Sequence, residues 1–258
     1  MRHGADILVN FLKLLLGDLL DFIYPSRCGV CGRELSREDA VICAGCWQTL
    51  SCIAAPFCPR CGLPTSPLNL LCSACEVRDH VFSFARSYGP FDETFQKIIH
   101  LFKYRRKLSL SRPLAALMGA TVRGDARYSP MEALIPVPLH SVKCRARGYN
   151  QSELLARDLS RITGLPLLDK VLVRAINTQS QSKLNLSARV ENVQDAFRIK
   201  GSRQIQDRRI VLVDDVLTTG ATADACARTL LRAGAAQVSV VTIARAVEPG
   251  ASGEAKKG

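Results

Sequence analysis

The chain has 258 residues, is 47% hydrophobic, and carries 35 Lys and Arg against 23 Asp and Glu, a formal net charge of +12. That length holds one large or two modest domains, and the apolar content is ordinary for a folded soluble chain. The charge favours anionic partners (phosphorylated metabolites, nucleic acid or acidic lipid) without choosing among them.

Residues 1–24 form the first predicted element, an amphipathic N-terminal helix ended by Pro25. Its apolar run, Ile7 to Tyr24, is broken by Lys13, Asp18 and Asp21. Those charges argue against a membrane span and for docking on protein, with peripheral membrane contact the weaker alternative. No secretory signal is evident, so a reducing, cytoplasmic setting is expected.

Residues 25–80 are a cysteine module. Nine of the 11 cysteines lie between Cys28 and Cys75, and eight of these form four C-x-x-C pairs. In a reducing compartment such pairs indicate metal rather than disulfides. All-sulfur sets favour zinc; an iron–sulfur cluster and redox dithiols remain the alternatives. The pairs divide as Cys28, Cys31, Cys43, Cys46 and Cys58, Cys61, Cys72, Cys75, although spacing alone leaves interleaved pairing open. About 50 residues have too small a core to fold alone, so metal acts as a staple. A base-stacking platform would want more aromatics than Trp47 and Phe57. Cys52 and Cys144 are left over, and Cys226 reads as buried packing.

From residue 81 strands alternate with helices, the pattern of an α/β domain with a mainly parallel sheet, expected over 81–246. A strand at Val81–Tyr88 precedes a helix at Phe91–Tyr104, where Phe91, Phe95, Ile98, Ile99 and Phe102 recur at helical spacing. The basic cluster Lys103, Arg105, Arg106, Lys107 reads as a solvated helix end. A second helix covers Pro113–Val122, and a strand Met131–Val137. After that strand Lys143, Arg145 and Arg147 sit in a basic loop, a seat for phosphate; Asn150 or Ser152 caps the next helix. Short extended runs follow at Leu167–Val173 and Ala196–Ile199. Between them the polar segment 177–192, with Gln181 and Arg189, is expected to be a lid. The last strand is Val238–Ala244, and 247–258 is a disordered tail.

The chain is organised around Arg209–Thr222, RIVLVDDVLTTGAT. An apolar, β-branched run ends in Asp214 and Asp215, and Thr218, Thr219, Gly220, Ala221 and Thr222 lead into a small-residue helix. A helix N-terminus with hydroxyl donors suits phosphate, while carboxylates suit sugar hydroxyls or a metal bridging to phosphate. The stretch is neither a Walker A loop nor a dinucleotide fingerprint. A phosphorylated sugar fits best; the plain alternative is a strand–turn–helix joint whose acids cap the helix.

This stretch resembles the phosphoribosyl-pyrophosphate (PRPP) motif of type I phosphoribosyltransferases. Together with the cysteine pairs, FKYRRK, IPVPLHSVKCRARGYNQSELLA, and the Q-x-x-L-N-L-x-x-R-x-x-N run from Gln181 to Asn192, it resembles the ComF family of competence-associated proteins. The resemblance implies a type I phosphoribosyltransferase-like parallel sheet behind an N-terminal helix and a double zinc-ribbon module. It implies Asp214 and Asp215 on ribose hydroxyls, the 218–222 turn on the 5′-phosphate, and the region His140–Arg147 on diphosphate. Gln181 and Arg189 would belong to a hood. Magnesium and two structural zinc ions are the implied cofactors, and PRPP the implied ligand. RGYNQ also resembles glutamine-dependent amidophosphoribosyltransferases, but their glutaminase half is absent. The alternative role is a non-catalytic module in DNA uptake or recombination, binding single-stranded DNA or a protein partner.

Overall fold

The structure is a computed structural model that describes residues 26–36, 39–69, 71–175 and 196–247. The expectations for residues 1–24, for the 177–192 lid with Gln181 and Arg189, and for the 248–258 tail fall outside the described residues.

In chain order the elements are α1 (Ala44–Gln48), α2 (Ser73–Val77), β1 (Ala85–Pro90), α3 (Glu93–Tyr104), α4 (Ser111–Arg123), β2 (Ala133–Pro136), α5 (Ser141–Arg147), α6 (Gln151–Thr163), β3 (Leu172–Arg174), β4 (Phe197–Ile199), β5 (Arg209–Leu217), α7 (Ala221–Arg232) and β6 (Gln237–Arg245). Two compact units divide at Leu50/Ser51.

The first unit holds one cysteine ribbon. Gly32 N–H returns to the Cys28 carbonyl, Cys28 N–H donates to Arg33, and α1 starts directly after Cys43. The second unit begins with a copy of that plan. Gly62 N–H returns to Cys58, Cys58 N–H donates to Leu63, and α2 starts directly after Cys72. Gly32 and Gly62 take φ of +75° and +70°, the left-handed step that closes each knuckle.

The remainder of the second unit is built on a four-stranded sheet in the order β1-β6-β5-β2, every pair parallel. Parallel strands covered on both faces read as continuous apolar runs. Ile210, Val211, Leu212 and Val213 of β5 are all fully buried, as are Val240, Val241 and Ile243 of β6. One face carries α4 and α6, with Leu134 and Leu159 in the core; the other carries α7, with Cys226 and Leu230 packed on Ile210, Leu212 and Val240. A separate antiparallel pair, β3–β4, flanks residues 176–195.

The helices follow their local chemistry. Phe95, Ile98, Ile99 and Phe102 form the buried stripe of α3, and Asp92 caps it by accepting from Phe95 N–H at 2.9 Å. Asn150 caps α6, and Gly164 ends it at φ +77°. The cap is therefore Asn150 and not Ser152. The expected basic loop is also corrected. Residues Ser141–Arg147 form the short helix α5, because His140 Nδ1 accepts from Val142 N–H at 3.2 Å and Gly148, at φ +90°, provides a left-handed stop. No described helix is long and apolar enough to cross a membrane.

Candidate functional site

The eight paired cysteines form two clusters, Cys28–Cys31–Cys43–Cys46 and Cys58–Cys61–Cys72–Cys75, with all sulfurs of a cluster within 4.8 Å of one another. The grouping is sequential, not interleaved. Four thiolates around zinc at about 2.3 Å define a tetrahedron with edges near 3.8 Å. Sulfur pairs here stand 3.8 Å (Cys28–Cys46), 3.7 Å (Cys31–Cys43) and 3.5 Å (Cys61–Cys72) apart. The donor set and spacing fit zinc. Burial works against the Cys28 thiolate, yet the backbone N–H groups of Cys31, Cys43 and Val30 outweigh it and bring the thiol down to about 6. In the second cluster burial is likewise outweighed by N–H groups of Cys61, Cys72 and Arg60, which bring Cys58 down to about 7. Burial, followed by interaction with neighbouring sulfurs, pushes Cys46 and Cys75 up; a bound dication reverses that ordering. One face of Phe57 is taken by the Arg86 guanidinium, 3.2 Å from its ring centroid.

The acidic pair lies near the carboxyl end of β5, which extends past both residues to Leu217. Asp215 is buried and Asp214 partly so. Asp214 Oδ1 accepts from Ser152 Oγ of α6 at 2.8 Å and from Asp215 N–H at 2.9 Å. Asp215 Oδ1 accepts from Val216 N–H at 2.9 Å, and its Oδ2 stands 2.5 Å from Lys103 Nζ. Burial and the neighbouring Asp215 charge push the Asp214 carboxyl up to about 7, against the pull of Lys103, the Ser152 hydroxyl and the Asp215 N–H.

Lys103 corrects the solvated reading of the basic cluster. It follows Ile99 by four residues, so it continues the buried stripe of α3 to the acids, while Arg105, Arg106 and Lys107 stay exposed. Helical spacing from Ile99 marks its place on that stripe, but not the acid it meets. Ser152, fully buried, was missed as a partner of Asp214, and Arg174 on β3 was missed altogether. Burial lowers the basicity of Arg174, against the opposing influence of Cys226 and Asp214, and its charge is felt by Lys143. Lys143 loses basicity through burial and through the charges of Arg174 and Arg147. Arg145 is exposed, whereas Arg147 sits 5.2 Å over the Tyr104 ring and donates to Gln151.

The turn behind the acids runs from Thr218 to Gly220, with α7 opening at Ala221. Thr218 and Thr219 are exposed, Ala221 and Thr222 half-buried, and Gly220 buried at φ +80°. The Thr219 hydroxyl accepts from Ala221 N–H at 3.4 Å, and the first N–H groups of α7 lack intrahelical acceptors.

A parallel sheet whose central strand carries paired acids near its carboxyl end, followed by a hydroxyl-rich turn into a helix and preceded by cysteine ribbons, defines a zinc-ribbon protein with a phosphoribosyltransferase-type domain. Two family comparisons agree: the double zinc ribbon domain matches residues 19–76, and the phosphoribosyl transferase domain matches residues 149–257. The chain is 31% identical over 224 residues to Competence protein F of Haemophilus influenzae, covering 85% of this chain and 97% of that protein. It is 30% identical over 224 residues to the DNA utilization protein YhgH of Escherichia coli K12, covering 86% and 97%. Competence protein ComFC of Bacillus subtilis is 30% identical over 221 residues, covering 82% and 87%. The chain belongs to the ComF family of competence-associated proteins.

Proposed function

We propose that the protein binds PRPP with magnesium and transfers its phosphoribosyl group to an acceptor. The observation that carries this reading is the pairing of an acidic strand end with an adjoining hydroxyl-rich turn at a helix start. Asp214 and Asp215 hold the ribose hydroxyls, and Thr218, Thr219, Gly220, Ala221 and Thr222 hold the 5′-phosphate with N–H and O–H donors. Lys143 and Arg147 stand on the diphosphate side, with Arg145 at its exposed rim. The acids are hard oxygen donors suited to magnesium, and since no third carboxylate joins them among the described residues, Asp214 and Asp215 would hold it together with substrate and water oxygens. Bound magnesium would supply charge neutralisation on the leaving diphosphate. In the transfer the C1–O bond to diphosphate breaks and C1 bonds to the acceptor nucleophile; the acids fix the sugar in line for that displacement. Gln181 and Arg189 are proposed for the hood that excludes water.

Calorimetry with PRPP and magnesium tests this. Wild-type protein is expected to bind, and Asp215→Ala to bind at least roughly tenfold more weakly, the equivalent of one lost charge-assisted hydrogen bond. Equal affinities would remove the reading.

A second reading, direct contact with single-stranded DNA, is favoured by one observation. The basic segment after α3 and the basic helix α5 adjoin: Arg106 lies 3.4 Å from the position a Cβ on Gly148 would take, and Arg147 covers Tyr104. Arg105, Arg106, Lys107 and Arg145, all exposed, are the cations that would meet phosphates. If three of them neutralise phosphates, log K falls with log salt at a slope of about −2. No binding at low salt would count decisively against this contact.

A further inference from the structure

The second ribbon is tied to the substrate turn at both ends, through groups the transfer chemistry does not use. At the start of the turn stands Arg245, the last residue of β6, only 6% exposed. Its Nε donates to the carbonyl of the zinc ligand Cys61 at 3.2 Å. The two hydrogens of its Nη1 are shared among the carbonyls of Leu217 (2.9 Å), Thr218 and Ala246 (3.0 Å). One planar guanidinium thus spans from the first knuckle of the ribbon to the first residue of the turn.

At the far end stands Asp224, in the first turn of α7 and 5% exposed. Its carboxylate accepts from Val81 N–H at 2.8 Å, contacts His80 Nδ1 at 2.9 Å and pairs with Arg78 Nη2 at 3.1 Å. Arg78 directly follows α2, the helix that carries the zinc ligand Cys75. His80 is stacked on Phe82 with ring centroids 4.4 Å apart, and its Cε1 lies 2.7 Å from where a Cβ on Gly220 would stand. The turn therefore rests on the exit of the ribbon as well as on its entry. Elsewhere the ribbon is bound to β1, where Ala85 N–H donates to the Arg60 carbonyl at 2.7 Å.

A ribbon of this size takes its folding free energy from the metal. We infer that zinc in the Cys58–Cys61–Cys72–Cys75 site sets the geometry of the 218–222 turn, with Arg245 and Asp224 as the positioning residues that carry the coupling. Buried groups held by several hydrogen bonds transmit displacement rather than absorb it. Linkage then makes the effect reciprocal: a ligand that orders the turn tightens zinc at this site. The functional consequence for phosphate binding rests on the proposal above; the mechanical coupling does not.

Hydrogen exchange read by mass spectrometry on the full chain, without substrate, tests the coupling. Cys61→Ser is expected to retain one zinc of two and to speed exchange of peptides covering 217–224 by roughly tenfold or more, the effect of losing a charge-assisted hydrogen bond. Arg245→Met should keep both zinc ions and quicken the same peptides, and Arg245→Lys should restore part of the protection. Cys31→Ser, in the first ribbon, should lose one zinc and leave those peptides at the wild-type rate. Unchanged exchange in Cys61→Ser and Arg245→Met overturns the inference, as does Arg245→Met speeding every peptide alike or Cys31→Ser matching Cys61→Ser. PRPP calorimetry on the same variants is a separate readout: coupled exchange without wild-type PRPP binding would refute the substrate and leave the coupling standing.

Discussion

Gly220→Val is expected to lower stability by about 2–4 kcal/mol, combining the left-handed backbone penalty with overpacking. Gly220 sits at φ +80°, and its missing Cβ would lie 2.7 Å from His80 Cε1 and 3.1 Å from His80 Nδ1. His80 has little room to retreat: Asp224 holds one side of the ring and Phe82 stacks on it. A β-branched residue also resists positive φ more than most. For a unit of this size the loss corresponds to a fall in Tm of roughly 5–15 °C. Because the strain is released by moving the turn, the proposed PRPP binding should weaken in step. Thermal unfolding with calorimetry checks both; a Gly220→Val protein melting with wild type would show that the turn is not packed on His80.

Lys103→Met is expected to cost about 2 kcal/mol, below the range for fully buried pairs because the lysine keeps 21% side-chain exposure. The larger effect is on pH dependence. The charged and titratable groups facing Asp214 are Asp215 beside it, Lys103 from α3, Arg174 from β3 and Cys226 from α7, and the Ser152 hydroxyl of α6 donates to it. With Asp214 raised to about 7, the folded chain binds a proton that the unfolded chain releases near pH 4. This group's contribution to stability therefore falls as pH rises through that window and is level above it. A ligand that needs both carboxylates ionised gains affinity through the upper part of the window and levels off near pH 7. Removing the Lys103 charge favours the protonated form further, so the plateau should move to higher pH in Lys103→Met and return towards the wild-type position in Lys103→Arg. Lys103→Met/Asp215→Asn should regain much of the lost stability, since neither charge is then left alone. Unshifted pH profiles would mean that Lys103 does not counter the acids.

Local signals carried well wherever one short segment completes its own structure. The C-x-x-C pairs announced two metal clusters because each knuckle closes on its own backbone, through Gly32 and Gly62. The β-branched run before Asp214 announced a buried strand, and Cys226 proved fully buried as its small-residue helix suggested. The same reasoning failed where a residue's role is fixed from outside its own segment. Lys103 sits in a run of cations and reads as solvent-facing until β5 brings Asp215 to 2.5 Å. Ser152 reads as a cap because Ser at a helix start usually is one, yet its hydroxyl is taken by Asp214 sixty-two residues away. Lys143, Arg145 and Arg147 read as a loop because charge dominates the segment, while His140 and Gly148 convert it into helix α5.

The sequence by itself determined the chemistry available: two sets of four thiolates, a pair of adjacent carboxylates, and a hydroxyl-rich turn opening a helix. These are one-dimensional features, because sulfur ligands, strand and turn are each specified within about twenty residues. Only the tertiary structure decided which groups meet. The sheet order β1-β6-β5-β2 places β6 beside β5, and that adjacency lets Arg245 reach both Leu217 and Cys61. No period or spacing encodes a hydrogen bond across 184 residues; it exists because parallel strands bring their carboxyl ends to one edge of the sheet, where the second ribbon and the acidic strand converge.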